Sequence, residues 1–413
     1  MEAQVLATDI VRKLVNAGYT AYFAGGWVRD YLMGHPSDDI DIATNAPPEK
    51  ILDLFPRTIL VGLAFGVVVV LSDGHQFEVA TFRRDVHYVN GRKPTQIELS
   101  TPLEDALRRD FTINGMFYDP LNAVVHDYIQ GAEDLKTGII RTIGDPYERF
   151  FEDRLRMIRG VRFAARFGFA IDTDTQEAIK ANADTLFPSV AMERVWQEFN
   201  KMAKYPRFDA AIVNMHRLGL LQTIFPALTE VHLHEIKHHT AAFVGYPADA
   251  ATILYVMGLF PDATSNEAVE LCQYLRTSTA EANLAEFLIR LREKVNQDDE
   301  RVDFDKVGWT HLYAHPAGRC CLNVIAATMN EDKRIHFLKK HQQRIDLLQK
   351  HIQRVIEKKS LVNARLLNEH GIGQGKLMGM LLKEAERLAI ENDFNCSDEV
   401  LRQLKSTILW PKL

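Results

Sequence analysis

The chain has 413 residues and a formal net charge of −6, and 46% of its residues are hydrophobic and 25% charged. These values allow more than one domain with a sizeable core and are ordinary for a soluble globular protein. No apolar run reaches the length of a membrane-spanning helix, and the net charge does not by itself indicate a nucleic-acid-binding protein.

The first 19 residues predict an amphipathic helix with acidic residues near its start, which is unlike a signal peptide. The four cysteines, Cys272, Cys320, Cys321 and Cys396, show no CxxC spacing. We therefore expect free thiols in a reducing cytoplasm, with no disulfide-linked partner and no membrane association.

Up to about residue 140 the pattern predicts the order α-β-α-β-α-β-β-β, a small mixed sheet covered by helices. The predicted strands cover residues 20–26, 39–44, 58–62, 65–72 and 76–82, with a hairpin turn at 73–74. After about residue 145 the strand signals mostly disappear, and residues 150–169 show helical periodicity that ends at a glycine. The fold predicted is α+β, with a compact head before a long all-helical part.

Acidic side chains alternate with isoleucines in "DIDIAT", residues 39–44. Residues i and i+2 of a strand point to the same face, so Asp39 and Asp41 project together while Ile40 and Ile42 enter the core. Two adjacent carboxylates repel each other unless a cation lies between them, and oxygen ligands suit Mg²⁺. Taken alone, the pattern also fits an exposed edge strand with solvated acids.

The segment "AGGWVRD", residues 24–30, predicts a strand that runs through a glycine pair into a helix. Paired glycines let backbone N–H groups approach a phosphate, and Arg29 supplies a positive charge. A glycine pair alone is more often a simple turn, but one that is followed shortly by a DxD strand is much less general.

Four motifs in this order resemble the class II tRNA nucleotidyltransferases, the family of bacterial CCA-adding enzymes and related poly(A) polymerases. They are "GGWVRDYLMG", "DIDIAT", "RRDFTINGMFYDP" (108–120) and "EDRLRMIRGVRFAARFGF" (152–169). The resemblance implies a polymerase-β-type nucleotidyltransferase head followed by an all-α neck, body and tail. The boundaries expected are 1–140 for the head, 141–210 for the neck, 211–330 for the body and 331–413 for the tail.

The resemblance also implies roles for individual residues. Asp39 and Asp41 match the catalytic metal-binding pair, and Glu78 is a candidate third carboxylate, although a structural role fits it nearly as well. The positions that match nucleotide-binding residues are Gly25, Gly26, Arg29, Arg109, Asp110, Asn114, Asp153, Arg156, Arg159 and Arg162.

The segment "EDRLR" places Glu152, Asp153 and Arg156 at i, i+3 and i+4 spacings, which would bring all three to one face of a helix. An ordinary surface ion pair explains this spacing. The resemblance implies instead that Asp153 and Arg156 act as a protein template, since Asp acceptors and Arg donors match the pairing edge of cytosine or adenine.

Two segments bear on which family activity to expect. Residues 83–99 predict a loop that, in the family, accompanies the final addition of A, and a surface hairpin tip without a functional role is the alternative. Some poly(A) polymerases of the family carry a basic pair in the segment that matches 62–67, where this chain has Leu63–Ala64. The loop weighs against an enzyme that adds only CC, and the absence of the basic pair favours addition to tRNA ends over poly(A) synthesis.

Basic residues are also frequent towards the C-terminus, where nine Lys or Arg and four acidic residues lie within 331–360. Such a run is compatible with a polyanionic partner. We expect contacts with RNA from Lys339, Lys340, Arg344 and Lys376. The histidines His232, His234, His238 and His239 suggest a metal site, but a structural or substrate-facing role is the favoured interpretation.

The function expected is template-independent addition of C and A from CTP and ATP to the 3′ end of tRNA, with two Mg²⁺ ions. The alternatives are an A-adding enzyme that works with a separate CC-adding enzyme, a poly(A) polymerase, and an inactive RNA-binding relative.

Overall fold

The computed structural model describes residues 2–35, 37–62, 66–89, 93–298 and 304–411. Contacts divide the chain into two compact units, Met1–Lys237 and His238–Leu413. The four-part division into head, neck, body and tail stays a prediction.

The first elements have the predicted order. They are α1 (Glu2–Asn16), β1 (Ala21–Ala24), α2 (Gly26–Leu32), β2 (Asp41–Thr44), α3 (Pro48–Leu54), β3 (Thr58–Gly62), β4 (Val67–Ser72) and β5 (His75–Thr81). The hairpin turn between β4 and β5 has Asp73 and Gly74 at positive φ, which fits the predicted Asp-Gly turn.

The elements that complete the head are β6 (Arg83–Val89), β7 (Lys93–Leu99), α4 (Pro102–Leu107), β8 (Phe117–Asp119), β9 (Val124–His126), α5 (Gly131–Thr137) and β10 (Ile139–Ile140). The main sheet has the order β3-β4-β5-β2-β1-β8-β9. It is mixed, because β2 runs parallel to β5 and antiparallel to β1. The predicted α+β head with a small mixed sheet is confirmed.

Alternation along the acidic strand is also confirmed, although β2 begins only at Asp41. Ile40 and Ile42 are buried, with 2% and 0% exposure, and they join the core beneath α1 and α3. Asp39 and Asp41 are on the accessible side. Burial of the isoleucines therefore fixes the direction in which both carboxylates point.

The loop predicted for residues 83–99 is wrong over most of its length. β6 and β7 form an antiparallel pair whose register runs from Arg83↔Leu99 to Val89↔Lys93. Backbone pairing within the segment thus replaces the apolar anchor that its sequence lacks. Its predicted tip, residues 90–92, and the Leu63–Ala64 pair lie outside the described residues.

The rest of the first unit is helical apart from β11 (Ala170–Ile171), which pairs with β10. The helices are α6 (Pro146–Glu152), α7 (Leu155–Phe167), α8 (Thr173–Asn182), α9 (Met192–Met202), α10 (Phe208–Arg217), α11 (Leu220–Ile224) and α12 (Leu233–Ala241), the last of which extends past the unit boundary.

The continuous helix predicted over residues 150–169 is interrupted. α6 ends at Glu152, and Asp153 has extended backbone angles, φ −149° and ψ 105°. The Asp153 side chain accepts a hydrogen bond from Leu155 N at 3.0 Å, at the start of α7. The helical i, i+3 argument for Asp153 and Arg156 is therefore wrong, because the two residues do not belong to one helix.

The described part of the second unit is helical, as predicted. Its helices are α13 (Thr252–Gly258), α14 (Ser265–Tyr274), α15 (Thr279–Asn296), α16 (Lys306–Ala314), α17 (Gly318–Ala327), α18 (Glu331–Glu357), α19 (Ala364–Glu369), α20 (Lys376–Glu391) and α21 (Ser397–Lys405). Helices α19 to α21 share a hydrophobic core that includes Leu367, Leu381 and Leu404.

None of the helices in the described part of the chain has the length and apolar character needed to cross a membrane. The four cysteines are free thiols.

Candidate active site

A cleft of about 690 Å³ in the first unit brings together side chains from the head sheet and from α7 and α9. It collects the whole set of residues predicted to be catalytic or nucleotide-binding: Gly25, Gly26, Arg29, Asp39, Asp41, Glu78, Arg109, Asp110, Asn114, Asp153, Arg156, Arg159 and Arg162. Residues far apart in the sequence thus share one solvent-accessible space.

The acidic part of the cleft comes from β2 and β5. The register pairs Ile42 with Val79, which brings the preceding residues, Asp41 and Glu78, side by side. Asp41 reaches solvent, but protein atoms around it limit its hydration, and this burial raises its pKa to about 6, with further contributions from Glu78 and Asp39. Arg109 acts in the opposite direction.

Three carboxylates whose charges disfavour one another are the donor set that a hard divalent cation prefers. Among the described residues, no three His, Cys, Asp or Glu side chains converge closely enough to form a complete metal cage. The carboxylates nevertheless fit Mg²⁺, because it is usually bound by one or two carboxylates together with substrate phosphates and water.

The turn after β1 has an unusual backbone. Gly25 has φ +69° and ψ −130°, and its N–H donates to the carbonyl of Met116 at 3.2 Å. A Cβ at this position would lie 3.0 Å from Nη1 of Arg109. The turn therefore requires glycine both for its conformation and for the close approach of a guanidinium group.

Arg29 lies deeper than its predicted role suggested, with 3% exposure. Its Nε donates to Asp30 at 2.8 Å, its Nη1 donates to the amide oxygen of Asn114, and its guanidinium group lies 4.7 Å from the ring centre of Phe167. Burial lowers its pKa, and the neighbouring Asp30 opposes that shift. These contacts fasten the glycine turn to α7.

Asp110 joins the head to α7 through Arg159, whose Nη2 lies 2.6 Å from Oδ2. Its other oxygen accepts from the Asn114 side chain at 3.2 Å. Burial favours a higher pKa for Asp110, but Arg159 outweighs it and lowers the pKa to about 2. Asp110 is therefore ionised and held at neutral pH.

Asp105 binds two consecutive arginines, with Oδ1 2.7 Å from Nη2 of Arg108 and Oδ2 3.0 Å from Nη2 of Arg109. It has 1% exposure. Burial favours a higher pKa, but Arg109 and Arg108 together lower it. Sequence reasoning missed Asp105, although its i+3 and i+4 spacing to these arginines was a usable signal.

The two residues predicted to read the base have separate partners. Asp153 binds Arg194 of α9, with Oδ2 2.8 Å from Nη2 and Oδ1 3.3 Å from Nη1. Arg156 binds Glu152 and donates to the carbonyl of Arg149 at 3.0 Å. The structure thus places both in the cleft and gives each an ion-pair partner of its own.

Arg166 of α7 and Arg194 and Lys201 of α9 line the cleft, although the sequence analysis missed them, and Glu198 of α9 is a buried partner of two residues of the cleft. Glu198 has 2% exposure and lies 2.7 Å from Nε of Arg162 and 3.1 Å from Nζ of Lys201. Arg166 reaches Asp30 at 3.2 Å. Helix α9 lies in the part of the chain that was predicted to be helical, but its contribution to the cleft follows only from its packing against α7.

The residues predicted to bind RNA in the second unit differ in their surroundings. Lys340 and Arg344 lie 2.7 Å and 2.8 Å from the carboxylate of Asp298, and both are partly buried. Their charges are therefore used within the fold. Lys339 and Lys376 are exposed, the latter at the start of α20.

The predicted histidine cluster does not form a metal site by the geometry of the described residues. His234, His238 and His239 lie on α12, and the rings of His232 and His234 are 5.7 Å apart.

Two family models and several curated proteins match parts of the chain. Residues 21–141 match the poly A polymerase head domain, and residues 168–231 match a probable RNA and SrmB-binding site of polymerase A. Over 207 residues, 50% of the chain, it is 42% identical to a CCA-adding enzyme of Anoxybacillus flavithermus, of which 52% is covered. A CCA-adding enzyme of Streptococcus mutans is 43% identical over 207 residues, which are 50% of this chain and 51% of that enzyme. The chain thus spans about half the length of these curated relatives.

Among solved structures, the Bacillus stearothermophilus CCA-adding enzyme in complex with CTP superposes with a TM-score of 0.79 at 27% identity, and the match covers 98% of both chains. The Thermotoga maritima CCA-adding enzyme complexed with tRNA superposes with a TM-score of 0.69 at 20% identity, with 96% of this chain and 93% of that chain covered, which shows a shared fold. The chain is therefore similar in sequence to CCA-adding enzymes over about half of its length, and it contains a segment that matches the poly A polymerase head domain.

Proposed function

We propose that the protein adds C and A nucleotides from CTP and ATP to the 3′ end of tRNA without a nucleic-acid template. The observation that carries the proposal is the cleft, in which Asp39 and Asp41 lie in the same space as the base-reading candidates Asp153 and Arg156. Asp39 and Asp41 suit phosphoryl transfer, and Asp153 and Arg156 suit base selection.

Asp39 and Asp41 are the residues that would hold Mg²⁺, with Glu78 beside Asp41 as a third carboxylate. When bound, two such ions supply the positive charge that stabilises the attacking and leaving oxygens. The raised pKa of Asp41 supports this assignment, because it comes first from burial and then from the charges of Glu78 and Asp39, which a bound cation would offset.

The reaction is an in-line displacement at the α-phosphate. The 3′-hydroxyl oxygen of the RNA forms the new bond to phosphorus, and pyrophosphate leaves. The glycine turn lines the cleft and lets the triphosphate approach the backbone closely, while Arg29 holds that turn against α7 and also lines the cleft. Arg109, Arg159 and Arg162 provide further donors for phosphate oxygens.

Base choice is assigned to Asp153 and Arg156. Cytosine and adenine each present an amino donor beside a ring-nitrogen acceptor, and an ionised carboxylate next to a guanidinium group complements both. Uracil and guanine present a carbonyl oxygen beside an N–H group, which reverses that order. The cleft can therefore select two of the four bases with protein groups alone.

The tRNA is proposed to lie along the helical part of the chain, recognised by its shape and its phosphates at the acceptor end and T-arm. The exposed Lys339 and Lys376 are the candidate contacts in the second unit. A cytoplasmic location is proposed because tRNA is the proposed substrate, and the free cysteines are consistent with a reducing compartment.

One experiment separates the candidate activities. Purified protein is given three tRNAs, ending at the discriminator base, at C74 and at C75, with CTP and ATP supplied separately. CTP incorporation into the first two and ATP incorporation into the third support CCA addition. Absence of CTP incorporation would indicate an A-adding enzyme, long A tails on unrelated RNA would indicate a poly(A) polymerase, and no incorporation at all would indicate an inactive RNA-binding relative.

A further inference from the structure

Arg194 approaches the cleft from α9 and binds Asp153 through both terminal nitrogens, Nη2 at 2.8 Å from Oδ2 and Nη1 at 3.3 Å from Oδ1. The two side chains are only 23% and 18% exposed. A two-point contact of this kind fixes the plane of a carboxylate as well as its position.

The backbone completes this restraint. Asp153 lies in the break between α6 and α7, and its Oδ1 also accepts from Leu155 N at 3.0 Å. Arg194 and this N–H hold one side of the carboxylate, so the remaining acceptor directions are limited. Without Arg194, a single hydrogen bond would leave the side chain free to turn about its χ torsions.

The surroundings of Arg156 make this restraint important. Its guanidinium group is bound by Glu152 and by the carbonyls of Arg149 and Arg108. The two candidate reading groups are thus anchored by different partners, and both line the cleft. If Asp153 were released, its charge would be attracted to Arg156, and a direct ion pair would mask both groups.

We propose that Arg194 is a positioning residue that sets base selectivity by fixing the carboxylate of Asp153. The inference rests on the proposed function of this cleft and names a residue that acts through Asp153, not on the nucleotide itself. Its loss affects the choice between bases more than the rate with the correct base.

The test compares wild type with Arg194→Ala and Arg194→Lys. The measurement is the ratio of kcat/KM for CTP to that for UTP on a tRNA ending at the discriminator base, and for ATP to GTP on one ending at C75. We expect Arg194→Ala to lower both ratios about tenfold or more, the scale of a lost charged hydrogen bond. Arg194→Lys retains the charge but lacks the planar fork, so we expect a smaller loss.

Two controls make the result specific. Arg217→Ala, on the exposed side of α10, removes an arginine that does not line the cleft, and it is expected to leave both ratios unchanged. Arg194→Ala in an Asp153→Ala background is expected to cause little further loss of selectivity, because the residue through which it acts is already absent.

Unchanged ratios in Arg194→Ala, or an equal loss of kcat/KM for all four nucleotides, would overturn the inference. An additive loss of selectivity in the double variant would also overturn it. If Arg194→Ala does not fold, wild-type ratios in Arg194→Lys would overturn it instead. If wild type transfers no nucleotide to tRNA, the proposed function fails instead. Arg194 is then judged by equilibrium binding of the four nucleoside triphosphates alone, where a wild-type preference that persists in Arg194→Ala counts against it.

Discussion

Arg159 binds one carboxylate oxygen of Asp110 with two guanidinium nitrogens, Nη2 at 2.6 Å and Nε at 2.8 Å. The contact joins α7 to the segment after α4. Because Asp110 also accepts from Asn114, which in turn accepts from Arg29, one network connects the glycine turn to α7. Much of the candidate site is therefore ordered by protein contacts before any nucleotide binds.

This network predicts a dependence of stability on acid. The pKa of Asp110 falls from 3.8 to about 2 on folding. The stability that the ionised carboxylate contributes is therefore fully present above about pH 4 and is lost as the pH falls towards 2. We expect Asp110→Asn to be less stable than wild type at pH 6 and to lose less additional stability between pH 6 and 3. Urea unfolding at several pH values measures this, and equal pH dependence in both proteins would contradict it.

The pKa of Asp41 shifts in the opposite direction from that of Asp110. Its pKa rises from 3.8 to about 6, so the folded state binds a proton more tightly than the unfolded state, and stability falls as the pH rises through this range. In metal-free buffer at pH 7.5, Asp41→Asn is expected to unfold at a higher temperature than wild type. Nucleotide incorporation is expected to fall at least about a hundredfold, since a charge that serves the transition state is lost.

Asp38→Asn is the matched control for that experiment. Asp38 is an exposed neighbour that does not line the cleft, so we expect little change in either stability or incorporation. Full incorporation by folded Asp41→Asn would show that the metal-binding assignment is wrong.

Glu198 is expected to stabilise the packing of α9 against α7. Removing its charge leaves Arg162, which has 8% exposure, without its 2.7 Å partner. Breaking a buried ion pair from one side costs about 3–5 kcal/mol, and we expect Glu198→Gln to lose an amount on this order. Chemical denaturation measures it, with Glu193→Gln on the exposed side of α9 as the control.

Gly25→Ala is expected to destabilise the glycine turn. Its positive φ costs a non-glycine residue about 1–3 kcal/mol, and the new Cβ would meet Arg109 at 3.0 Å. The KM for nucleoside triphosphates is expected to rise, because the turn and Arg109 must both shift. Gly34→Ala is the control, because Gly34 also has positive φ but lies outside the cleft lining and a Cβ there meets no heavy atom within 4 Å, and equal KM values for the two variants would argue against this role.

Prediction succeeded where the determinants are local. Alternation of Asp and Ile predicted the direction of both carboxylates, and the Asp73–Gly74 turn predicted the β4–β5 hairpin. It failed at Asp153, because helical periodicity in the flanking residues gives no sign that the chain breaks there and that the aspartate accepts a hydrogen bond from the first residue of the next helix.

By itself, the sequence determined the order of the head elements, the orientation of Asp39 and Asp41, and the family to which the chain is similar. These follow from patterns within a few residues and from motifs in a fixed order. Only the tertiary structure decided that Arg194 holds Asp153 and that Glu198 holds Arg162, because these partners lie 41 and 36 positions apart. Their pairing depends on how α9 packs against α7, and packing between helices is set by the whole buried interface, which no local pattern records.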